Sequence, residues 1–197
     1  MKKKIAVIMG GYSSEYEISI GSGEAVMMAL AYSDYDATQV LILKDRWVAV
    51  ENGVEMAIDK NDFSTTVNGT KITFDAVFNA IHGTPGEDGL MQAYFELLGI
   101  PQTSCDYYQA ALTFNKRDLL SVLKPYGIKT ATSFYLNKGD LIDTTEIVNK
   151  VGLPCFVKPN KSGSSFGISK VKTAAEMPIA IEVAYKEDNE IIIESFL

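Results

Sequence analysis

An uninterrupted apolar run, Ile5-Ala6-Val7-Ile8-Met9, ends at the pair Gly10-Gly11. A strand that is apolar at every position has no face to offer water. It must be covered on both sides, as parallel strands inside an α/β sheet are. The glycines turn the chain sharply, and Ser14 and Glu17 have capping-box spacing for a helix running toward Leu30. Strand, glycine turn and helix together open an α/β unit. The apolar run stops too soon for a signal peptide, and no run in the chain is long enough to cross a membrane.

Residues 37–43 read as the next strand. Residues 47–50, 65–67 and 71–74 are β-prone and lie around Asn52-Gly53 and Asn68-Gly69, which suit two-residue hairpin turns. This section is expected to be an antiparallel excursion at the sheet's edge. Residues 76–81 return to the core as a strand ending at His82. A loop over 83–89, a helix over 90–98 and a short strand over 100–103 complete a first domain, residues 1–104. From 105 the pattern shifts to helices at 107–113, 116–124, 144–151 and 174–185. Strands are expected at 129–132, 133–136, 155–157, 168–171 and 190–194, making a smaller α+β domain over 105–197 with helices packed on an antiparallel sheet.

The length of 197 residues and an apolar fraction of 47% allow a sizeable core in two small domains. A net charge of −7 argues against a general nucleic-acid binder. Cys105, Cys155 and the lone His82 show no metal-ligand spacing, so no metal site is expected, and sparse cysteine fits a reducing cytoplasm.

One stretch carries chemistry more visibly than the rest. In residues 155–171, CFVKPNKSGSSFGISKV, a short strand ends at Lys158-Pro159. A loop of small residues follows, and then a second strand. Small residues let backbone N–H groups approach oxygen anions, and the lysine adds a point charge, so the stretch suits phosphate. It is neither a P-loop nor a dinucleotide fingerprint, since the glycine spacing and following element are wrong for both. A flexible hairpin with a solvated lysine is the plainer alternative.

KPNKSGSSFGISKV resembles the mobile glycine/serine loop of the ATP-grasp ligases, specifically the D-alanine–D-alanine ligases. MGGYSSEYEISIGSG near the start, HGTPGEDG at 82–89 and IIIESFL at the end are similar to three further motifs of that family, in the family's order. The resemblance spans essentially the whole chain. It implies a parallel-sheet, Rossmann-like pre-ATP-grasp domain followed by a small α+β ATP-grasp subdomain. These ligases continue with a third domain that holds a catalytic arginine and the Mg²⁺ ligands. The chain stops right after an apolar strand and looks cut there, so that domain is expected to be absent and Mg²⁺ ligands are expected only beyond Leu197.

The resemblance also assigns roles. Glu15 would hold the ammonium of the first D-alanine; on its own it reads as a carboxylate complementing a helix dipole. His82 would lie near that substrate's carboxylate, with Glu87 in support and Asp88 structural. Ser164 would orient Glu15, and Ser165 would cover the phosphates through its backbone. Lys116 and Lys158 would bind the ATP phosphates. Backbone groups of Ser195 and Leu197 would hold the adenine edge beside Glu194, with Phe196 packed on the base. Asn115 stands where the family usually has aspartate, and Phe166 where it usually has valine.

The implied activity is ATP-dependent ligation of two D-alanines through an acylphosphate, in the cytoplasm, for peptidoglycan precursors. This polypeptide alone is expected not to turn over. The alternatives are a D-alanine–D-lactate or other ATP-grasp ligase, and a non-catalytic nucleotide-binding or dimerisation module. The family commonly dimerises through its first domain, and the apolar helix over 20–30 could contribute.

Overall fold

The computed structural model describes residues 2–197. The chain forms two compact units, one ending at Ala111 and one spanning Leu112–Leu197.

The first unit is built on a seven-stranded sheet. Its strands are β1 (Lys3–Gly10), β2 (Tyr35–Ile42), β3 (Trp47–Glu51), β4 (Val54–Asp59), β5 (Ser64–Val67), β6 (Thr70–Ile72) and β7 (Ala76–Asn79), in the spatial order β6-β5-β4-β3-β2-β1-β7. β1 runs parallel to both β2 and β7, with Ile8 opposite Val40 on one side and Asn79 on the other. Ala6, Val7, Ile8 and Met9 are wholly buried, as the unbroken apolar run required. The remaining pairings, β2–β3 through β5–β6, are antiparallel. Both Asn-Gly pairs turn their hairpins with positive φ at each residue: 50° and 78° at Asn52-Gly53, 48° and 77° at Asn68-Gly69.

Helix α1 (Tyr16–Leu30) follows β1. The capping box expected from Ser14 and Glu17 does not form: the N-cap is Glu15, and its side chain makes no capping bond. The chain enters the helix through a turn already pinned elsewhere, for Tyr12 N–H donates to Thr84 O and Glu15 N–H to Ser13 Oγ. Buried Ser19 ties the helix to the sheet, accepting from Gly10 N–H at 2.9 Å and donating to Ala80 O at 2.9 Å. Helices α2 (Leu90–Leu98) and α3 (Tyr107–Phe114) follow β7. Residues 100–103 make one bridge, Gln102 to Val77, rather than the expected strand, because Pro101 has no N–H to extend the ladder.

The second unit carries helices α4 (Lys116–Leu123), α5 (Thr144–Val151) and α6 (Met177–Ala184) and strands β8 (Ser133–Asn137), β9 (Cys155–Pro159), β10 (Ser169–Val171) and β11 (Glu190–Ser195). The strands form an antiparallel sheet in the order β10-β9-β11-β8. Its core joins Cys155, Val157, Ile191 and Ile193 of the sheet to Ile147 and Val151 of α5 and Met177, Ala180 and Ile181 of α6. Alternation along β9 sends Phe156 and Lys158 to the opposite face. The strand expected over 129–132 is irregular; its one ladder-like contact is Thr132 with Ser195, made partly through the serine hydroxyl.

Candidate functional site

The residues singled out in the first unit gather where β1 and β7 end. Ligands of open α/β sheets bind at such carboxyl ends. Glu15 is 2% exposed. Its carboxylate lies so close to Gly83 that a Cβ there would stand 3.0 Å from Oε1 and 2.5 Å from Ser13 Oγ. Any side chain at 83 would displace this corner, and Gly83 also has φ +71°. Ser13 Oγ donates to His82 O at 3.1 Å, while His82 Nε2 is 2.9 Å from Ser22 Oγ. Glu87 folds back so that Oε2 accepts the Gly83 N–H at 2.6 Å. Asp88 bonds the Thr84 hydroxyl and accepts from Leu90 N–H, holding the loop onto the start of α2. Glu15, His82 and Glu87 thus belong to one hydrogen-bonded corner. From the far side, Trp47 Nε1 donates to Tyr12 Oη at 2.9 Å and braces the turn that presents Glu15. Cavities of about 340, 390 and 700 Å³ in this unit are lined by other residues.

In the second unit the sheet face opposite the helices carries the charged groups. Lys158 Nζ pairs with Glu194 Oε2 at 2.7 Å. Phe156 lies beside them, 5.9 Å from Phe196 between ring centroids, and Lys170 Nζ sits 4.0 Å from the Phe196 centroid. Lys116, at the first position of α4, reaches the loop after β9, with Nζ 2.6 Å from Ser162 O and 3.3 Å from Asn160 O. Ser164 and Ser165 both have left-handed backbone, with φ 45° and 64°, and Gly167 follows at 70°. The run closes on itself as a tight turn, with Phe166 N–H donating to Gly163 O at 3.1 Å and Ile168 N–H to Ser165 O at 3.3 Å. Ser195 N–H donates to Thr132 O and Phe196 N–H to Pro154 O. Phe196 is half exposed, and Leu197 is 90% exposed. Glu190 is held well below the ordinary carboxylate range, first by its hydrogen bond from Lys161 and then by that from Asn160.

Two family profiles match in succession: "D-ala D-ala ligase N-terminus" over residues 4–105 and "D-ala D-ala ligase C-terminus" over residues 122–197. The chain belongs to the D-alanine–D-alanine ligase family. Within that family it is 76% identical over 196 residues to the D-alanine–D-alanine ligase of Flavobacterium johnsoniae, covering 99% of this chain and 61% of that protein. The ligase of Christiangramia forsetii is 61% identical over 198 residues, covering 100% of this chain and 61% of the relative. The chain therefore spans about three-fifths of the length of these relatives. Among solved structures, it is similar to D-alanyl-alanine synthetase A of Vibrio cholerae, with a TM-score of 0.86, 29% identity and coverage of 100% of this chain and 60% of that one. The VanG D-Ala:D-Ser ligase of Enterococcus faecalis gives 0.81 at 31% identity, covering 100% and 63%. The mixed first sheet followed by a small antiparallel sheet is thus the D-alanine–D-alanine ligase fold.

Several residues that shape these two sets escaped the sequence reading. Ser13 and Ser22 lie inside the quoted first motif, yet nothing local says which of its serines meets His82. Asn160 lies inside the loop motif and is fully buried. Lys170 carried no signal beyond its place in the strand predicted over 168–171.

Proposed function

We propose that this chain supplies the amino-acid-binding and nucleotide-binding parts of an ATP-dependent ligase that joins two D-alanines for peptidoglycan precursors, in the cytoplasm. The observation that carries the reading is the pair of lysines bracketing the glycine/serine loop. Lys158 ends the strand before it, and Lys116 Nζ lies 2.6 Å from Ser162 O within it. Two cations beside a loop of small residues suit a polyphosphate.

In this proposal Glu15 binds the ammonium of the first D-alanine, while His82 faces its carboxylate and Glu87 keeps the loop after His82 in place. Ser164 belongs to the loop whose Ser165 backbone covers the phosphates. Glu194, Ser195, Phe196 and Leu197 border the adenine, the Ser195 contribution coming from its carbonyl because its N–H serves Thr132. The γ-phosphoryl group passes to the first carboxylate and gives an acylphosphate. The amine of the second D-alanine attacks that carbonyl carbon, and inorganic phosphate leaves. Phosphoryl transfer depends mainly on positioning and charge neutralisation, which the two lysines and the loop N–H groups provide in part. The loop also keeps water from the acylphosphate. The family implies Mg²⁺ beside ATP. Among the described residues no group of three or more His, Cys, Asp or Glu stands together to hold a metal ion, so these residues do not fit one.

A homodimer through the first unit is part of the proposal, supported by α1, which is rich in apolar residues yet buries only Ser19 and Gly23 and leaves Met28 66% exposed.

The test is steady-state kinetics on the full-length gene product with ATP and D-alanine, D-serine or D-lactate as acceptor. D-alanyl-D-alanine with stoichiometric ADP is the expected product. Lys116→Ala and Lys158→Ala should raise KM for ATP, and Glu15→Gln should raise KM for D-alanine. A lysine variant with wild-type ATP kinetics would remove the basis for the reading.

A further inference from the structure

We infer that Asn160 is a positioning residue for nucleotide binding, acting through Lys116. The inference rests on the reading of Lys116 as a phosphate ligand and deepens it.

Asn160 follows Lys158-Pro159, opens the glycine/serine loop and is wholly buried. Its side chain makes three hydrogen bonds. Oδ1 accepts from Arg117 N–H at 2.8 Å, and Nδ2 donates to Asn115 Oδ1 at 2.8 Å and to Glu190 Oε2 at 3.0 Å. Its backbone makes more: the N–H donates to Glu190 O at 2.9 Å, and the carbonyl accepts from Lys116 N–H at 3.2 Å and Lys116 Nζ at 3.3 Å. Asn160 therefore touches Asn115, Lys116 and Arg117, the cap and first two residues of α4.

That matters because no side chain of α4 is fully buried, Leu119, Leu120 and Leu123 being only partly covered. Without a fully buried apolar anchor, hydrogen bonds carry more of the helix's placement. Asn115 caps the helix by accepting from Asp118 N–H at 3.1 Å, and the same oxygen takes the Asn160 amide. The other docking contacts are looser: Arg117 lies 5.3 Å above the Tyr135 ring and 3.5 Å from Asn137 Oδ1. Two backbone N–H groups, of Lys116 and Arg117, end on Asn160. They fix the root of the Lys116 side chain relative to β9, and hence relative to Lys158.

The chemistry at this point needs a carboxamide. One acceptor must face the helix N–H, and a two-proton donor must face Asn115 and the Glu190 carboxylate. Aspartate keeps the acceptor but sets a second negative charge against Glu190. Alanine and serine do not span the gap. Alanine or serine takes the acceptor from the Arg117 N–H, and all three replacements take the amide donor from Asn115 Oδ1 and Glu190 Oε2.

The experiment uses the full-length enzyme with ATP and D-alanine varied separately. Asn160→Ala should raise KM for ATP by about tenfold, the loss of roughly one buried hydrogen-bond set, and leave KM for D-alanine within about twofold. The double variant Asn160→Ala/Lys116→Ala should be no worse than Lys116→Ala alone, because both act through one ammonium. Additive losses, or equal rises in both KM values, would overturn the inference. Should Asn160→Ala fail to fold, Asn160→Asp, of the same size, carries the test; unchanged KM for ATP in that variant overturns it as well. If Lys116→Ala itself leaves KM for ATP unchanged, the nucleotide reading has failed, an outcome distinct from failure of the Asn160 link.

Discussion

Lys158 Nζ lies 2.7 Å from Glu194 Oε2, and the two residues sit one diagonal step apart on neighbouring antiparallel strands, since Lys158 opposes Ile192 and Phe156 opposes Glu194. Their side chains are only 26% and 14% exposed, so the pair is shielded from water and salt more than an ordinary surface bridge. Lys158→Met should lower unfolding stability by about 1.5–3 kcal/mol, because it strands a partly buried carboxylate. Glu194→Gln should cost less, since the amide oxygen still accepts. Chemical denaturation of the two variants checks the order, and equal losses would contradict it.

Two glycines on α1 should respond in opposite directions to the same change. A Cβ at Gly23 would come within 2.5 Å of Met9 Cε and 2.8 Å of Met9 Cβ, whereas one at Gly21 would meet nothing within 4 Å. Met9 can swing its terminal methyl but not its Cβ, so Gly23→Ala should destabilise by about 1–2 kcal/mol despite the better helix propensity of alanine. Gly21→Ala should stabilise by about 0.5–1 kcal/mol. Thermal unfolding of both variants reads the sign directly.

The loop after β9 is anchored at its far end by Gly167, where a Cβ would stand 2.7 Å from Pro159 Cγ and 2.8 Å from Glu187 Cγ, at a φ of +70°. Gly167→Ala should loosen residues 160–167 and speed limited proteolysis there, at a local cost of about 1–3 kcal/mol. Cleavage at the wild-type rate would show that the loop's conformation does not depend on this contact.

On the proposed ligase reading, Ser22 should matter to one substrate only. Its hydroxyl is 2.9 Å from His82 Nε2 and orients the ring in the corner that holds Glu15. Ser22→Ala in the full-length enzyme should raise KM for D-alanine about three- to tenfold and leave KM for ATP unchanged.

Acid should weaken the second unit through Glu190. Its folded-state pKa is depressed below the ordinary 4.5 by Lys161 first and Asn160 second. The unfolded chain then takes up the proton first on acidification. The stabilisation is complete above pH 4.5 and is lost as pH falls through the depressed value. The Tm gap between wild type and Glu190→Gln should be open at neutral pH and narrow as pH falls below 4.5. A gap that stays constant with pH would count against the linkage.

Particular residues show what was legible in advance. The apolar run at residues 5–9 required a covered strand, and both Asn-Gly pairs required tight hairpins; both follow from rules that act within a few residues. The capping box at Ser14 and Glu17 obeyed the same kind of rule and did not form, because Thr84 O and Ser13 Oγ hold the turn in another conformation. The expected strand over 129–132 gave way to a single contact with Ser195. The first miss is a local preference overridden by a partner distant in the chain; the second is a β-prone stretch whose pairing stops at one contact.

The order of the elements, the breaks between them and the four family motifs were thus determined by the amino-acid sequence, because side-chain periodicity and the sign of φ are local properties. Only the tertiary structure decided that Lys158 meets Glu194, that Ser22 meets His82 and that Asn160 joins Asn115 to Glu190. These partners lie 36, 60, and 45 and 30 residues apart. Strand register and helix docking bring them within hydrogen-bond reach, and neither is encoded in any short stretch.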